Sequence, residues 1–137
     1  MEEKEKEKVK IGMLLVETYL AESPNKGTGV FSKNFIAKGT VIWRFVEDFD
    51  IKVHQSKYDL LTEVQKKFVD KYFWREDEYL YSSCDHSEFQ NHSTSPNSIQ
   101  HGQEEMIAAR DIYPDEEILV DYGTFDDDYD IYKDTLI

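Results

Sequence analysis

The sequence predicts a mainly β domain with one inserted helix, an α+β fold built from several small sheets. Three observations lead there. Short β-branched and aromatic runs, such as TVIWRF at 40–45, recur along the chain between Gly, Pro, Asn and Asp turns. Only one stretch, residues 60–74, spaces its apolar residues as a helix does. The 137 residues leave room for one domain with a core of its own.

Taken in order, MEEKEKEKVK at residues 1–10 alternates charges with no apolar face and reads as a solvated tail. The domain is expected over 11–126, followed by an acidic tail at 127–137. IGMLLVETYL gives a strand over 13–19, ended by the turn-rich ESPNKGTG. GVF at 29–31 is a short strand, Lys38 and Gly39 form a turn, and 40–45 is the next strand. In the helix, Leu60, Leu61, Val64, Phe68 and Tyr72 share a face, and Thr62 with Gln65 can form a capping box. EYLYSSC is strand-like, FQNHSTSPN has the composition of a loop, and EEMIAAR and EEILVDYG supply two further strands. One local shape occurs twice, as NFIAKGTVI at 34–42 and RDIYPDEEI at 110–118. Asp115 stands where the first copy has Gly39, an exchange a turn accepts because Asp can enter the left-handed region.

Charge and motif content exclude several functions. With 29 acidic against 16 basic residues the net charge is -13, which argues against nucleic acid and suits a basic protein partner. There is no long apolar run or signal-peptide pattern, so no membrane association is expected. The single cysteine, Cys84, cannot form an internal disulfide, which points to a reducing, cytoplasmic setting. Cys84, Asp85, His86, His92 and His101 are metal-ligand types without metal-ligand spacing, so no metal is expected. FDDDYDIYKD fails as a calcium loop because Ile131 stands where the turn glycine belongs and Ile137 where the bidentate Glu belongs. Nucleophile-elbow, Walker and dinucleotide motifs do not occur.

Three separated pieces remain: KGTG at 26–29, QNHSTSPN at 90–97 and DYG at 121–123. In this order they resemble the SET-domain family of S-adenosylmethionine-dependent protein-lysine methyltransferases, and above all its small stand-alone bacterial members. The resemblance implies a β-clip-like fold with a knot-like crossing of the NHS and DYG segments. It implies that Lys26, Gly27, Thr28, Gly29, Asn91, His92 and Tyr122 meet the cofactor S-adenosylmethionine, and that Tyr122 is the active-site tyrosine. Methyl transfer is an in-line displacement, so orientation supplies much of the rate. No general base is evident, and deprotonation of the lysine is expected to go to solvent. The lysine channel should be aromatic, with Tyr79, Tyr81 and Phe125 as candidates.

The chain also departs from the family pattern. Thr94 replaces a cysteine and no cysteine triad follows Gly123, so Phe125, the acidic tail or a second subunit must close the channel. Val120 stands where Phe or Tyr is common, and Glu88 and Gln90 where Arg and an aliphatic residue are common. These three residues motivate an alternative, a non-catalytic SET-fold module for protein interaction or cofactor sensing. The expected partner of the enzyme is a basic protein with an accessible lysine; homodimerisation stays open, since no segment marks an interface.

Overall fold

The computed structural model describes residues 13–24, 27–102 and 104–133, and the backbone alone of Tyr132. The 1–10 tail and Lys26 lie outside the described residues.

The repeated shape organises the centre of the fold. Ile36 and Ile112, equivalent in the two copies, exchange both backbone bonds at 2.8 Å. The surrounding bonds are reciprocal too. Gly39 N donates to Ala108 O (2.8 Å) as Asp115 N donates to Ser32 O (2.6 Å), and Ala108 N donates to Thr40 O (2.9 Å) as Ser32 N donates to Glu116 O (3.0 Å). Gly39 and Asp115 both have positive φ, 88° and 70°, which the turn requires of each. The four isoleucines of the repeat, Ile36, Ile42, Ile112 and Ile118, are buried together with Val30 and Ala108.

Among the described residues, four small sheets lie around this cluster. The largest contains β1 (Met13–Leu14), β4 (Val41–Arg44), β10 (Glu105–Ala108) and β9 (Ser98–Gln100), in that order and antiparallel. β2 (Thr18–Glu22) and β3 (Thr28–Ser32) form a hairpin, so the strand expected over 13–19 is two strands broken at residues 15–17. β5 (Ile51–His54), β7 (Tyr79–Ser82) and β6 (Trp74–Glu76) form a third sheet. The NHS segment and the strand that leads into DYG pair side by side as β8 (Asn91–His92) and β11 (Leu119–Val120), the only parallel pair among the named strands.

The helix α1 (Glu63–Tyr72) starts with the expected box: Thr62 Oγ1 accepts from Gln65 N and Gln65 Oε1 accepts from Thr62 N. Leu60 falls in a preceding 3-10 turn, Gln55–Leu60. The amphipathic pattern makes the helix but does not seat it. Leu60 (79% exposed), Val64, Phe68 and Tyr72 face outward, because no described element covers that face. A second short helix, α2 (Tyr129–Tyr132), follows the DYG segment.

Substituting Ile112→Ala should cost about 2–5 kcal/mol, since it opens a cavity at the centre of the reciprocal pairing. Leu60→Ser should stay within about 0.5 kcal/mol. Urea denaturation of both variants measures the contrast.

Candidate active site

Two polar struts tie the NHS segment to the rest. Asn97 is fully buried; its Nδ2 donates to Glu117 O (2.8 Å) and its Oδ1 accepts from Leu119 N (2.8 Å). A buried amide satisfied on both ends fixes the loop against β11. Asn91 Nδ2 donates to Thr28 O (3.2 Å) and to Glu117 Oε2 (2.9 Å), while Ser23 Oγ donates to Glu117 Oε1 (2.8 Å). The GTG strand, the NHS segment and the strand before DYG therefore meet at one buried carboxylate.

Gly29 explains itself here. A Cβ on it would lie 2.3 Å from Glu117 Oε2 and 3.0 Å from Ser23 Cβ, so the missing side chain makes room for the carboxylate. Gly27 is different: its φ is +56°, and a Cβ there would meet nothing within 4 Å. It supplies the left-handed turn whose carbonyl accepts from Ser23 N at 2.7 Å.

Tyr122 follows β11 at the start of a 3-10 turn, Tyr122–Thr124, capped by Asp121 Oδ1 accepting from Gly123 N (2.9 Å). Its ring stacks on His92 (5.8 Å, 16°) and meets Phe125 edge-on (5.7 Å). Its hydroxyl donates to the Gln90 carbonyl. Burial pushes the phenol up to about 12, with the charges of Glu88 and Asp126 acting in the same direction. Tyr122 is therefore a neutral hydrogen-bond donor near pH 7. Tyr122 N donates to His92 Nδ1 (3.2 Å), which requires that nitrogen unprotonated and makes the 3.7 Å approach of Asp121 to it no ion pair.

Beside Tyr122 opens a cavity of about 70 Å³. Its apolar wall is Trp43, Trp74, Met106, Val120, Tyr122 and Phe125, and its polar residues include Glu76, Glu88, Gln90 and Glu105. Trp43 Nε1 and Gln90 Nε2 are buried without a hydrogen-bond partner among the described residues. Of the channel candidates, Phe125 lines this cavity. Tyr81 stands behind it, stacked on Trp74 at 5.3 Å and 10°. Tyr79 turns toward Lys52 (4.8 Å) and His54 (5.5 Å), away from the lining. Thr28, Gly29 and Asn91 gather on the Glu117 side, and Gly27 forms the neighbouring turn.

The sequence reading missed Glu117, Trp43 and Trp74. The chain has only 2 tryptophans, and both line the cavity, so their rarity and size were an available signal. Past Phe125 the acidic segment folds back on β6. Asp126 Oδ1 accepts from Arg75 N (3.1 Å), Asp127 N donates to Arg75 O (2.6 Å) and Asp128 pairs with Arg75 Nε (3.2 Å).

The family model for the SET domain matches residues 27–123. The chain belongs to the SET-domain family. Among solved structures it is similar to a Plasmodium falciparum protein provisionally assigned as a histone methyltransferase, with TM-score 0.59 and 23% identity over 80% of this chain and 96% of that one. It is also similar to a chain of a humanized mutant Chaetomium thermophilum Polycomb Repressive Complex 2 bound to an inhibitor, with TM-score 0.62 and 16% identity over 82% of this chain. An apo form of the Chaetomium complex with two substitutions in Ezh2 gives TM-score 0.66 and 16% identity over 86% of this chain. This chain spans only 15% and 16% of those two chains. At these identities the likeness is one of fold. No curated protein matches the sequence. Among the described residues no helix is long and apolar enough to cross a membrane.

Two measurements check the site. Gly29→Ala should destabilise by about 1–3 kcal/mol, because Glu117 is held by Ser23 and Asn91 and cannot withdraw freely; chemical denaturation reads it. Between pH 10 and about 12 the unfolded chain loses the Tyr122 proton while the folded chain keeps it. Stability from this group is thus complete below pH 10 and falls as pH rises. Wild type should lose about 1.4 kcal/mol per pH unit more than Tyr122→Phe across that window, measured by denaturation at stepped pH.

Proposed function

We propose that the chain is an S-adenosylmethionine-dependent methyltransferase acting on the side-chain amine of a lysine in a protein. The observation that carries this reading is the position of Tyr122. Its hydroxyl bonds the Gln90 carbonyl beside an aromatic cavity. The next residue, Asn91, bonds the glycine-bearing strand on the Glu117 side. A donor of the methyl group and an acceptor can thus approach one tyrosine from two directions.

The residues present fit the family's cofactor. Open space beside Gly27 suits close approach of a ligand to bare backbone; Asn91 bonds Thr28 and His92 stacks on Tyr122, which supports a site between the glycine-bearing strand and the tyrosine. Gly27, Thr28, Gly29, Asn91 and His92 would hold it, together with Lys26, which lies outside the described residues. When bound it supplies an electrophilic methyl group. Binding and orienting the amine falls to the cavity: the rings of Trp43, Trp74 and Phe125 exclude water and wall the alkyl stem. Tyr122 remains a neutral donor and positions the reacting groups without serving as a base.

Neutralising a free lysine at pH 7 costs about 4–5 kcal/mol; the apolar wall lowers that cost by disfavouring the charged amine, while the carboxylates in the same lining act in the opposite direction. Val120 at the cavity leaves more room than an aromatic residue would. The net charge of -13 favours a basic protein segment as substrate and steers it in. The return of Asp126, Asp127 and Asp128 onto Arg75 offers a closure that needs no cysteine-bound metal.

Isothermal titration with S-adenosylhomocysteine tests the reading. Wild type should bind, Asn91→Ala should bind at least tenfold more weakly, and Tyr122→Phe should keep most of the affinity while losing methyl transfer to lysine peptides. A folded wild type that binds neither S-adenosylmethionine nor its product would replace the enzyme with a non-catalytic interaction module.

A further inference from the structure

Three carboxylates line the cavity, and two of them are fully engaged. Glu76 accepts from Gln100 Nε2 (2.7 Å) on Oε2 and from Trp74 Nε1 (3.3 Å) on Oε1. Glu105 meets Arg44 (2.8 Å) through Oε2 and His101 (3.1 Å) through Oε1. Glu88 differs. Its Oε2 accepts from Ser82 Oγ (2.6 Å), Ser83 N (2.6 Å) and Ser83 Oγ (3.3 Å), whereas Oε1 has no partner among the described residues. Three bonds to one oxygen fix the carboxylate and leave the other available to an occupant of the cavity.

The surroundings leave that charge uncompensated. Asp85 precedes it, Tyr122 shares the cavity lining with it, and no cation among the described residues is paired with it. Burial accordingly holds Glu88 above the usual carboxylate range. Gln90, only 9% exposed, adds a buried polar group in the same lining whose Nε2 has no partner among the described residues.

We propose that Glu88, through Oε1, anchors the ammonium group of the incoming amine and makes the cavity select amines that carry N–H over fully methylated ones. This rests on the cavity being the lysine side of the site. Rings alone would give the opposite preference, because cation–π contact tolerates a quaternary ammonium and asks for no N–H. A carboxylate oxygen asks for N–H donors, and each methyl group added to the nitrogen removes one. The role is one of binding and selection; the deprotonation that transfer requires follows it.

The probes are n-butylamine, which mimics the lysine side chain, and butyltrimethylammonium, titrated calorimetrically into wild type and Glu88→Gln. Wild type should bind the primary amine at least tenfold more tightly than the quaternary one. Glu88→Gln keeps a carbonyl oxygen for the Ser83 N–H, and should bring the two probes to parity or reverse their order. Equal binding of both probes by wild type, no binding of either, or a tenfold preference that survives in Glu88→Gln would each overturn the assignment. The wild-type comparison stands even if the variant fails to fold. S-adenosylhomocysteine titrated into the same wild-type sample separates the two readings: a preserved amine preference without cofactor binding would support Glu88 as anchor and overturn the methyltransferase.

Discussion

The reciprocal backbone exchange between Ile36 and Ile112 is the constraint on which the site's geometry rests. Two segments of similar shape bond each other with equivalent partners, and their isoleucines fill one buried cluster. The strand leaving each copy is then aimed by the other. Ile118 N donates to Val30 O (2.8 Å), which sets the DYG strand beside the GTG strand. Burying four isoleucines offsets the entropy of joining segments so far apart in sequence. Two left-handed turn residues, Gly39 and Asp115, let both copies make the same bend.

From that centre the site is extended by polar groups placed where water does not reach. Asn97 and Glu117 are both buried and both fully committed to neighbours, so each acts as a strut. Losing one would strand its partners as buried unpaired groups, which costs more than the bond itself contributes. Gly29 belongs to this arrangement as much as to any ligand, since its missing side chain is the space Glu117 occupies. The same constraint relates packing to function: what holds the NHS segment in place also brings the Gln90 carbonyl to the Tyr122 hydroxyl and Asn91 to the GTG strand.

The electrostatics of the cavity run against its lining. Four rings, a methionine and a valine make it apolar, yet three carboxylates stand in it and a phenol is kept protonated beside them. A site of this composition favours a cation with an alkyl stem, because rings and carboxylates both attract positive charge while the apolar wall rejects small hydrated ions. The acidic surface extends the same preference outward.

The fold class, the capping box of the helix, the repeated turn and the GTG, NHS and DYG pieces were all legible in the sequence. Each is set by local chemistry: side-chain periodicity, a side chain reaching a backbone group three residues away, or a residue able to take positive φ. Tertiary structure decided the rest. Alternation put Tyr79 and Tyr81 on one face of a strand, but the stacking of Tyr81 behind Trp74 decided that Trp74 and not the tyrosine lines the cavity. The spacing of Leu60, Val64, Phe68 and Tyr72 determined a helix and a face, while the absence of a covering element among the described residues left that face exposed. The family pattern marks Glu88 as a departure, but nothing near it in sequence says that one of its oxygens is left without a partner. Among the described residues Ser82 and Ser83 take one of its oxygens and leave the other without a partner, while Arg44, His101, Gln100 and Trp74 occupy both oxygens of its neighbours in the lining. Local propensity needs only the next few residues, whereas the partner of a buried polar atom is chosen by whichever distant strand packs against it.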